Sequence, residues 1–183
     1  KYCKIRPDNY FIHKLEQTIE FLIKNFQNSK SGLMGSAYDA DSDGEEGRYY
    51  VFLYDEIKHL EDIDKYYEIN PKGNWENKII LIEKEEGEIP PKKLISELLK
   101  IRLKKNKPFF DHKIQLDLNC LWVSSLVVAN DILPNKKYLK QAEEYFLKIE
   151  KLFLSPSAHH SYSKNTVFLE DYAYLINASL DLS

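Results

Sequence analysis

The chain has 183 residues, of which 43% are hydrophobic, so it carries enough apolar surface for a folded core and is not expected to be disordered. Its 26 basic and 29 acidic residues give a net charge of −3, without the basic excess that would predict nucleic-acid binding. Two distant cysteines, no apolar run of roughly 18 residues and no secretory signal predict a cytoplasmic protein without disulfides, a zinc site or a membrane span.

The first third of the chain predicts a helix and then a β-hairpin. Apolar residues at helical spacing predict a helix over 10–26, with Asp8 at its N-cap. Segments 33–38 and 48–54 are rich in strand formers and flank an acidic, glycine-containing loop at 39–47. This arrangement predicts that the two segments pair as a hairpin.

The remainder predicts helices separated by irregular excursions, with no βαβ alternation that would indicate a parallel sheet. The fold class is therefore expected to be mainly α, with short β-hairpins in the loops. Because the chain opens with lysine and closes on an apolar helix, it is expected to be a piece of a longer protein. In order, the sequence predicts helices at 56–60 (capped by Asp55), 63–69, 91–105, 114–133, 135–152 and 169–182, and extended pieces at 78–83 and 159–163.

The acidic loop is the most unusual local sequence. Asp39, Asp41, Asp43 and Gly44 match the first half of an EF-hand calcium loop, but Tyr50 stands where the bidentate glutamate is needed. Another metal site, an acidic surface turn and a polar-ligand pocket all stay open as interpretations. Crowded carboxylates tend to have raised pKa values, which suits acid/base chemistry.

Two further groups of polar residues stand at predicted helix starts. Asp111 and Lys113 precede the apolar helix, where they could serve as an acid/base and an anion clamp, or simply as a cap and its neighbour. Glu170 and Asp171 lie in the first turn of the last helix, where the helix dipole alone would explain them.

The histidines predict no chelating pair. His159 and His160 are adjacent on a predicted extended piece, so their side chains should point to opposite faces. At most one of them is expected to face a pocket. No Ser-His-Asp order, phosphate loop or dinucleotide fingerprint is present.

Four ordered motifs resemble the thioredoxin-domain-containing, spermatogenesis-associated (YyaL-type) protein family. Residues 38–51 resemble its DADSEGxEGxxYVW signature, and 73–76 resemble its GNxEG segment. Residues 111–119 resemble its DDKVLTSWNGL segment, and 169–173 its LEDYA. The resemblance implies an N-terminal thioredoxin-like domain, absent from this chain, followed by a six-hairpin α/α toroid similar to sugar 2-epimerases and six-hairpin glycosidases. Residues 1–183 are then expected to be a single segment of that toroid.

The resemblance implies carbohydrate binding or processing by acid/base residues that meet at the mouth of the toroid. The expected partners are a small carbohydrate, the rest of the toroid and a thioredoxin-like domain, with no cofactor, nucleic acid or membrane. The expected catalytic residues are Asp39, Asp41, Glu46, Asp111 and Asp171, the expected ligand-binding residues are Tyr38, Arg48, Tyr50, Lys113, Asn119, Glu170 and Tyr172, and no metal ligand is expected.

Departures from the family pattern favour an alternative hypothesis. The chain has Leu118-Asn119-Cys120 where the family has Trp-Asn-Gly, His112 where it has a second Asp, and Phe52 where it has Trp. These changes could reshape the floor of the pocket. The alternative is a non-catalytic module that binds a ligand or partner and serves a thioredoxin-like domain.

Overall fold

The computed structural model describes residues 5, 8–84, 88–133, 137–154, 158–161 and 166–183. This part of the chain is mainly helical, which confirms the predicted class. Among its helices, none combines the length and the apolar character needed to cross a membrane. The chain divides into two compact units, unit 1 (Lys1–Ala37 and Asp111–Ser183) and unit 2 (Tyr38–Phe110). That the whole chain is one toroid segment stays a prediction.

The two strand pairs are very short, β1 with β4 and β2 with β3. The helices and strands are, in chain order, α1 (Asn9–Phe26), β1 (Ala37–Tyr38), β2 (Asp41–Ser42), β3 (Glu45–Glu46), α2 (Tyr54–Ile57), α3 (Ile63–Tyr66), α4 (Lys92–Arg102), β4 (Phe110–Asp111), α5 (Leu116–Ile132), α6 (Tyr138–Phe153) and α7 (Leu169–Asp181).

The five long helices confirm the predictions from apolar spacing, within a few residues at each end. The Asp8 carboxylate accepts a hydrogen bond from the Tyr10 N–H at 2.8 Å, which confirms the predicted N-cap of α1. The cap predicted for α2 is wrong. Its N-cap is Leu53, whose N–H donates to the Glu56 carboxylate at 2.8 Å, and Asp55 lies inside the helix.

The predicted hairpin is also wrong in its partners. Ala37–Tyr38 of the first segment pairs with Phe110–Asp111, and Phe52 of the second forms a bridge with Ile79. The hairpin forms instead inside the acidic loop, where Asp41 lies opposite Glu46 in an antiparallel pair. The cause is the turn at Asp43 and Gly44, which have φ values of +55° and +75°. Two consecutive residues of positive φ form the tight turn that joins neighbouring strands, and Asp-Gly is a preferred pair for it.

The extended pieces are shorter than predicted. Over 78–83 the structure has isolated bridges, Phe52 with Ile79 and Tyr67 with Glu83, rather than a strand. The piece at 159–163 contributes one bridge, Gln115 with Ser161, and its last two residues lie outside the described ranges. The first residues of the helix predicted at 135–152 also lie outside them.

The core of unit 1 is built around α5, which packs against both α6 and α7. Leu116, Val123 and Leu126 of α5 have no exposed surface, as the apolar sequence predicts. They share one cluster with residues of the neighbouring helices such as Ile149 and Phe153. Each such side chain contributes roughly 1.5–3 kcal/mol by leaving water. This packing fixes where the first turns of α5 and α7 lie.

Candidate functional site

Three ionisable side chains from separate parts of the chain meet in unit 1. Asp117 lies in the first turn of α5, Asp171 in the first turn of α7, and His160 in the segment before α7. One ligand atom from each residue lies within 4.8 Å of the others, so the Asp–His–Asp cluster could hold a metal ion. Both carboxylates stand at helix N-termini, where the helix dipole stabilises negative charge.

Backbone hydrogen bonds position His160 against α5. The Leu116 N–H, the first of that helix, donates to the His160 carbonyl at 2.8 Å. The His160 N–H donates to the Thr166 carbonyl at 2.7 Å, and Gln115 bridges Ser161. The imidazole is therefore held beside the start of α5 by main-chain contacts on both sides.

Asp171 is the buried anchor of the cluster. Its side chain has no exposed surface, and its Oδ1 lies 2.8 Å from Nδ1 of His160. Its Oδ2 accepts the Phe168 N–H at 2.9 Å, which closes a capping box at the start of α7. One carboxylate thus caps a helix and orients an imidazole. It is out of direct reach of a ligand, so its role is positioning.

His160 is engaged at both ring nitrogens. Nδ1 lies 2.8 Å from Oδ1 of Asp171, and Nε2 lies 2.8 Å from the Gln115 amide nitrogen. The Gln115 carbonyl oxygen lies 2.8 Å from the Ser36 hydroxyl, which also lies 2.6 Å from the Lys113 carbonyl. Only 17% of the His160 side chain is exposed. These contacts on both sides therefore fix the orientation of the ring.

Asp117 is the carboxylate of the cluster that solvent can reach. Its side chain is 20% exposed, and its Oδ1 lies 4.0 Å from Nδ1 of His160. The same oxygen accepts the Leu118 N–H at 2.8 Å. Among the described residues, no lysine or arginine lies within ion-pair distance of either carboxylate, and their shared partner is the His160 ring. The cluster therefore has an excess of negative charge for a protonated or cationic group to balance.

Cys120 lies one turn further along α5 and is completely buried. Burial raises the pKa of its thiol to about 12, with smaller contributions from the negative charges of Asp171 and Asp117. A thiol in this setting stays neutral and is a poor nucleophile. The cysteine in place of the family's glycine therefore packs in the core and adds no reactive group to the cluster.

Of the residues predicted from sequence in unit 1, Asp171 alone belongs to the cluster. Asn119 is fully buried, and its Oδ1 accepts the Met34 N–H at 2.8 Å. Its Nδ2 donates to the Met34 carbonyl at 3.1 Å and to the Gln115 carbonyl at 2.8 Å. This side chain joins the start of α5 to the segment that follows α1.

The other predicted residues of unit 1 are at the surface. Asp111 accepts the Lys113 N–H at 2.9 Å and lies 3.3 Å from the Lys113 ammonium. These contacts, led by the backbone hydrogen bond, lower the pKa of Asp111. Glu170 is exposed, and Tyr172 is 49% exposed. They face solvent next to the cluster, and their contact with a ligand stays a prediction.

In unit 2, the predicted acids Asp39, Asp41 and Glu46 are all exposed. The Asp39 carboxylate accepts the Asp41 N–H at 3.3 Å, and Asp41 faces Glu46 across the two strands. The tight turn therefore brings these carboxylates together on one short hairpin. A common cavity of this hairpin with Asp111 and Asp171 stays a prediction.

Arg48 compensates part of the charge of the hairpin. Its guanidinium lies 3.7 Å from the carboxylates of both Asp43 and Glu45, and Lys78 also pairs with Glu45. Arg48, Glu45 and Lys78 contribute to the lining of a cavity of about 320 Å³ within unit 2. Glu56 and Lys105 also line it, so the lining carries both signs of charge and favours no single sign of ligand charge.

The predicted aromatic residues pack on neighbouring rings. Tyr38 lies against Phe110 with centroids 4.7 Å apart, and Tyr50 meets Tyr49 edge-on at 5.1 Å. Burial raises the pKa of both the Tyr38 and the Tyr50 phenols. Tyr50 keeps 44% of its surface exposed, so it is the more accessible of the two predicted rings.

Sequence reasoning missed Asp117 and His160. The two histidines have different surroundings, because His160 enters the cluster while the ring of His159 packs 5.4 Å from that of Phe153. The available signal was a pair of acids, Asp117 and Asp171, each in the first turn of a helix after an extended residue. That signal is weak, because the dipole explains such acids without any site.

No model of a known protein family matches the chain, and no curated protein was found to be similar to it. The resemblance to the spermatogenesis-associated family therefore stays a prediction.

Proposed function

We propose that the Asp–His–Asp cluster is the polar centre of a carbohydrate site in a segment of an α/α toroid, with Asp117 as its acid or base. The observation that carries this proposal is the buried Asp171 carboxylate holding His160 beside the half-buried Asp117, where α5 and α7 begin. The packing of α5 between α6 and α7 agrees with an array of helical hairpins.

The chemistry of the cluster suits hydroxyl groups. Asp117 has one carboxylate oxygen without a hydrogen bond among the described contacts, and this oxygen can accept a proton from a sugar hydroxyl. Phe168 offers an apolar surface beside His160, because its ring meets the His160 ring edge-on at 4.8 Å and is 49% exposed. A few converging polar groups beside an aromatic ring are typical of sites for small polar ligands.

A specific observation supports the alternative, a module that binds without catalysis. Proton transfer by His160 would require it to release Gln115 or Asp171, because both ring nitrogens are engaged. Asp171 itself is inaccessible. Asp117 is then the one titratable group of the cluster within reach, whereas glycoside hydrolysis uses a pair of carboxyl groups.

The experiment measures binding and turnover on the same panel of mono- and disaccharides, by calorimetry and by NMR of the products. Asp117→Asn is compared with Asp181→Asn, an exposed residue at the other end of α7. Turnover that is lost only in Asp117→Asn supports catalysis, and binding without turnover supports the alternative. If no sugar binds, or if Asp117→Asn binds and turns over as the unchanged chain does, the proposal is wrong.

A further inference from the structure

A cavity of about 500 Å³ lies in unit 1, and no residue of the Asp–His–Asp cluster lines it. It is formed by the turn after α1 and the last turns of α6. Its volume falls within the range of small-molecule sites. Nothing in the proposed carbohydrate function uses it.

The charged residues that line this cavity are all lysines, namely Lys30, Lys148 and Lys151. In the part of the chain that the structure describes, no carboxylate lies within ion-pair distance of their ammonium groups. Lys151 is also in the last turn of α6, where a helix dipole favours a cation. The cavity therefore carries uncompensated positive charge.

The neutral polar side chains of the lining keep donors that a ligand can use. The Asn28 carboxamide oxygen accepts the N–H groups of Lys30 and Ser31, at 2.9 and 3.1 Å, which leaves its NH₂ group for a ligand. The Ser31 hydroxyl oxygen accepts the Leu33 N–H at 3.1 Å and keeps its O–H and one lone pair. Every polar side chain of this lining can therefore donate to a ligand, which favours a ligand rich in hydrogen-bond acceptors.

Lys148 is held at the cavity by its surroundings. Its ammonium lies 5.2 Å from the centroid of the Tyr145 ring, a cation–π contact that limits its movement. A Cβ at Gly32 would lie 2.7 Å from the same ammonium, so the glycine leaves the space that the lysine occupies. Gly32 also has a φ of +69°, which other residues rarely adopt. The absence of a side chain at Gly32 therefore leaves room for the Lys148 ammonium beside this turn.

The rest of the lining is apolar. Ile114 and Leu152 form the accessible part of this wall, with the fully buried Phe153 behind them. From the cationic, donor-rich rim and the apolar wall we infer that unit 1 binds an amphiphilic anion here. The ligand class is a small apolar body that carries one carboxylate or phosphate head group. The head group meets Lys148, Asn28 and Ser31, and the body lies against the apolar wall.

The test uses the 183-residue chain with octyl phosphate and octanoate as probes, and with octanol and inorganic phosphate as matched controls. Binding is measured by calorimetry, and the NMR shifts of the Ser31 and Gly32 amides report its location. Both amphiphiles are expected to bind, each at least tenfold more tightly than either control, and binding should weaken with added salt. The ratio of the affinities for octyl phosphate and octanoate shows whether the site prefers a phosphate or a carboxylate head group.

Lys148→Gln is expected to weaken octyl phosphate binding roughly tenfold, which is the size of one charge-assisted hydrogen bond. Lys140→Gln, on the exposed side of the same helix, should leave it unchanged. If Lys148→Gln lowers the melting temperature, Lys151→Gln replaces it. The inference is wrong if neither amphiphile binds, or if octanol or inorganic phosphate binds as tightly as octyl phosphate. It is also wrong if the two lysine changes have equal effects.

Discussion

The Asp171 carboxylate should be the most stabilising polar group in unit 1, and Asp171→Ala tests this directly. The substitution removes the acceptor of the His160 ring and the acceptor of the Phe168 N–H together. Because Asp171 has no exposed surface, water cannot replace either bond without entering the core. His160 would also lose the anchor that holds its ring beside Asp117.

The expected loss in the free energy of unfolding is about 2–6 kcal/mol, because two donors each lose their acceptor at roughly 1–3 kcal/mol apiece. Asp171→Asn should cost less, roughly 1–3 kcal/mol. Its single amide oxygen can accept from His160 or from Phe168, and the other donor then faces an NH₂ group. For a chain of this length, each kcal/mol should lower the melting temperature by about 2–4 °C.

The assay is urea denaturation, followed by tryptophan fluorescence in a Trp75→Phe background so that the signal comes from the buried Trp122 of unit 1. Glu170→Ala is the matched control, because it removes the neighbouring exposed carboxylate of the same helix turn. A loss below 1 kcal/mol in Asp171→Ala, or an equal loss in Glu170→Ala, would refute the role of Asp171 as the anchor.

Four further outcomes can be checked. Asn119→Ala should cost about 2–4 kcal/mol in urea denaturation, because it leaves the buried Met34 N–H without an acceptor and opens a cavity; a loss under 1 kcal/mol would contradict this. Gly44→Ala should lower the free energy of unfolding by about 1–2 kcal/mol, because alanine rarely adopts a φ of +75°. A Cβ there would meet no atom within 4 Å, so the backbone conformation alone causes the loss. An unchanged stability would argue against the tight turn. Cys120 should resist iodoacetamide until the chain unfolds, and rapid alkylation of the folded chain would contradict its burial. Because the folded chain raises the pKa of this thiol, the free energy of unfolding should fall as pH rises from the ordinary thiol pKa of about 8.5 towards 12. A chelator should leave the melting temperature unchanged if neither the hairpin at 39–46 nor the Asp–His–Asp cluster holds a metal, and a drop that persists in Asp117→Asn would favour a metal at the hairpin.

How much the sequence could predict depends on how local each signal is. The five long helices follow from apolar spacing and from the Asp8 cap, which involve residues within one or two turns of each other. The Asp43-Gly44 turn is equally local, so the short hairpin inside the acidic loop could have been predicted from those two residues. The partners of segments 33–38 and 48–54 could not, because residues 110–111 and Ile79 lie far from them along the chain.

The Asp–His–Asp cluster lies beyond such local rules. Gln115 and His160 are 45 residues apart, and their contact exists because the segment before α7 bonds to the first N–H of α5. Nothing near His160 in sequence indicates that partner. Asp171 caps α7 by a local contact, but it reaches the His160 ring only because α7 packs on α5.

The sequence by itself determined a mainly helical chain, the limits of its long helices and an apolar α5, because these depend on periodicity and caps. The tertiary structure decided which polar residues became neighbours. It buried Asp171 and Asn119 as supports and left Asp117 partly open. It also gathered lysines from two segments around one cavity, since long-range packing, which no local pattern encodes, sets the distances between segments.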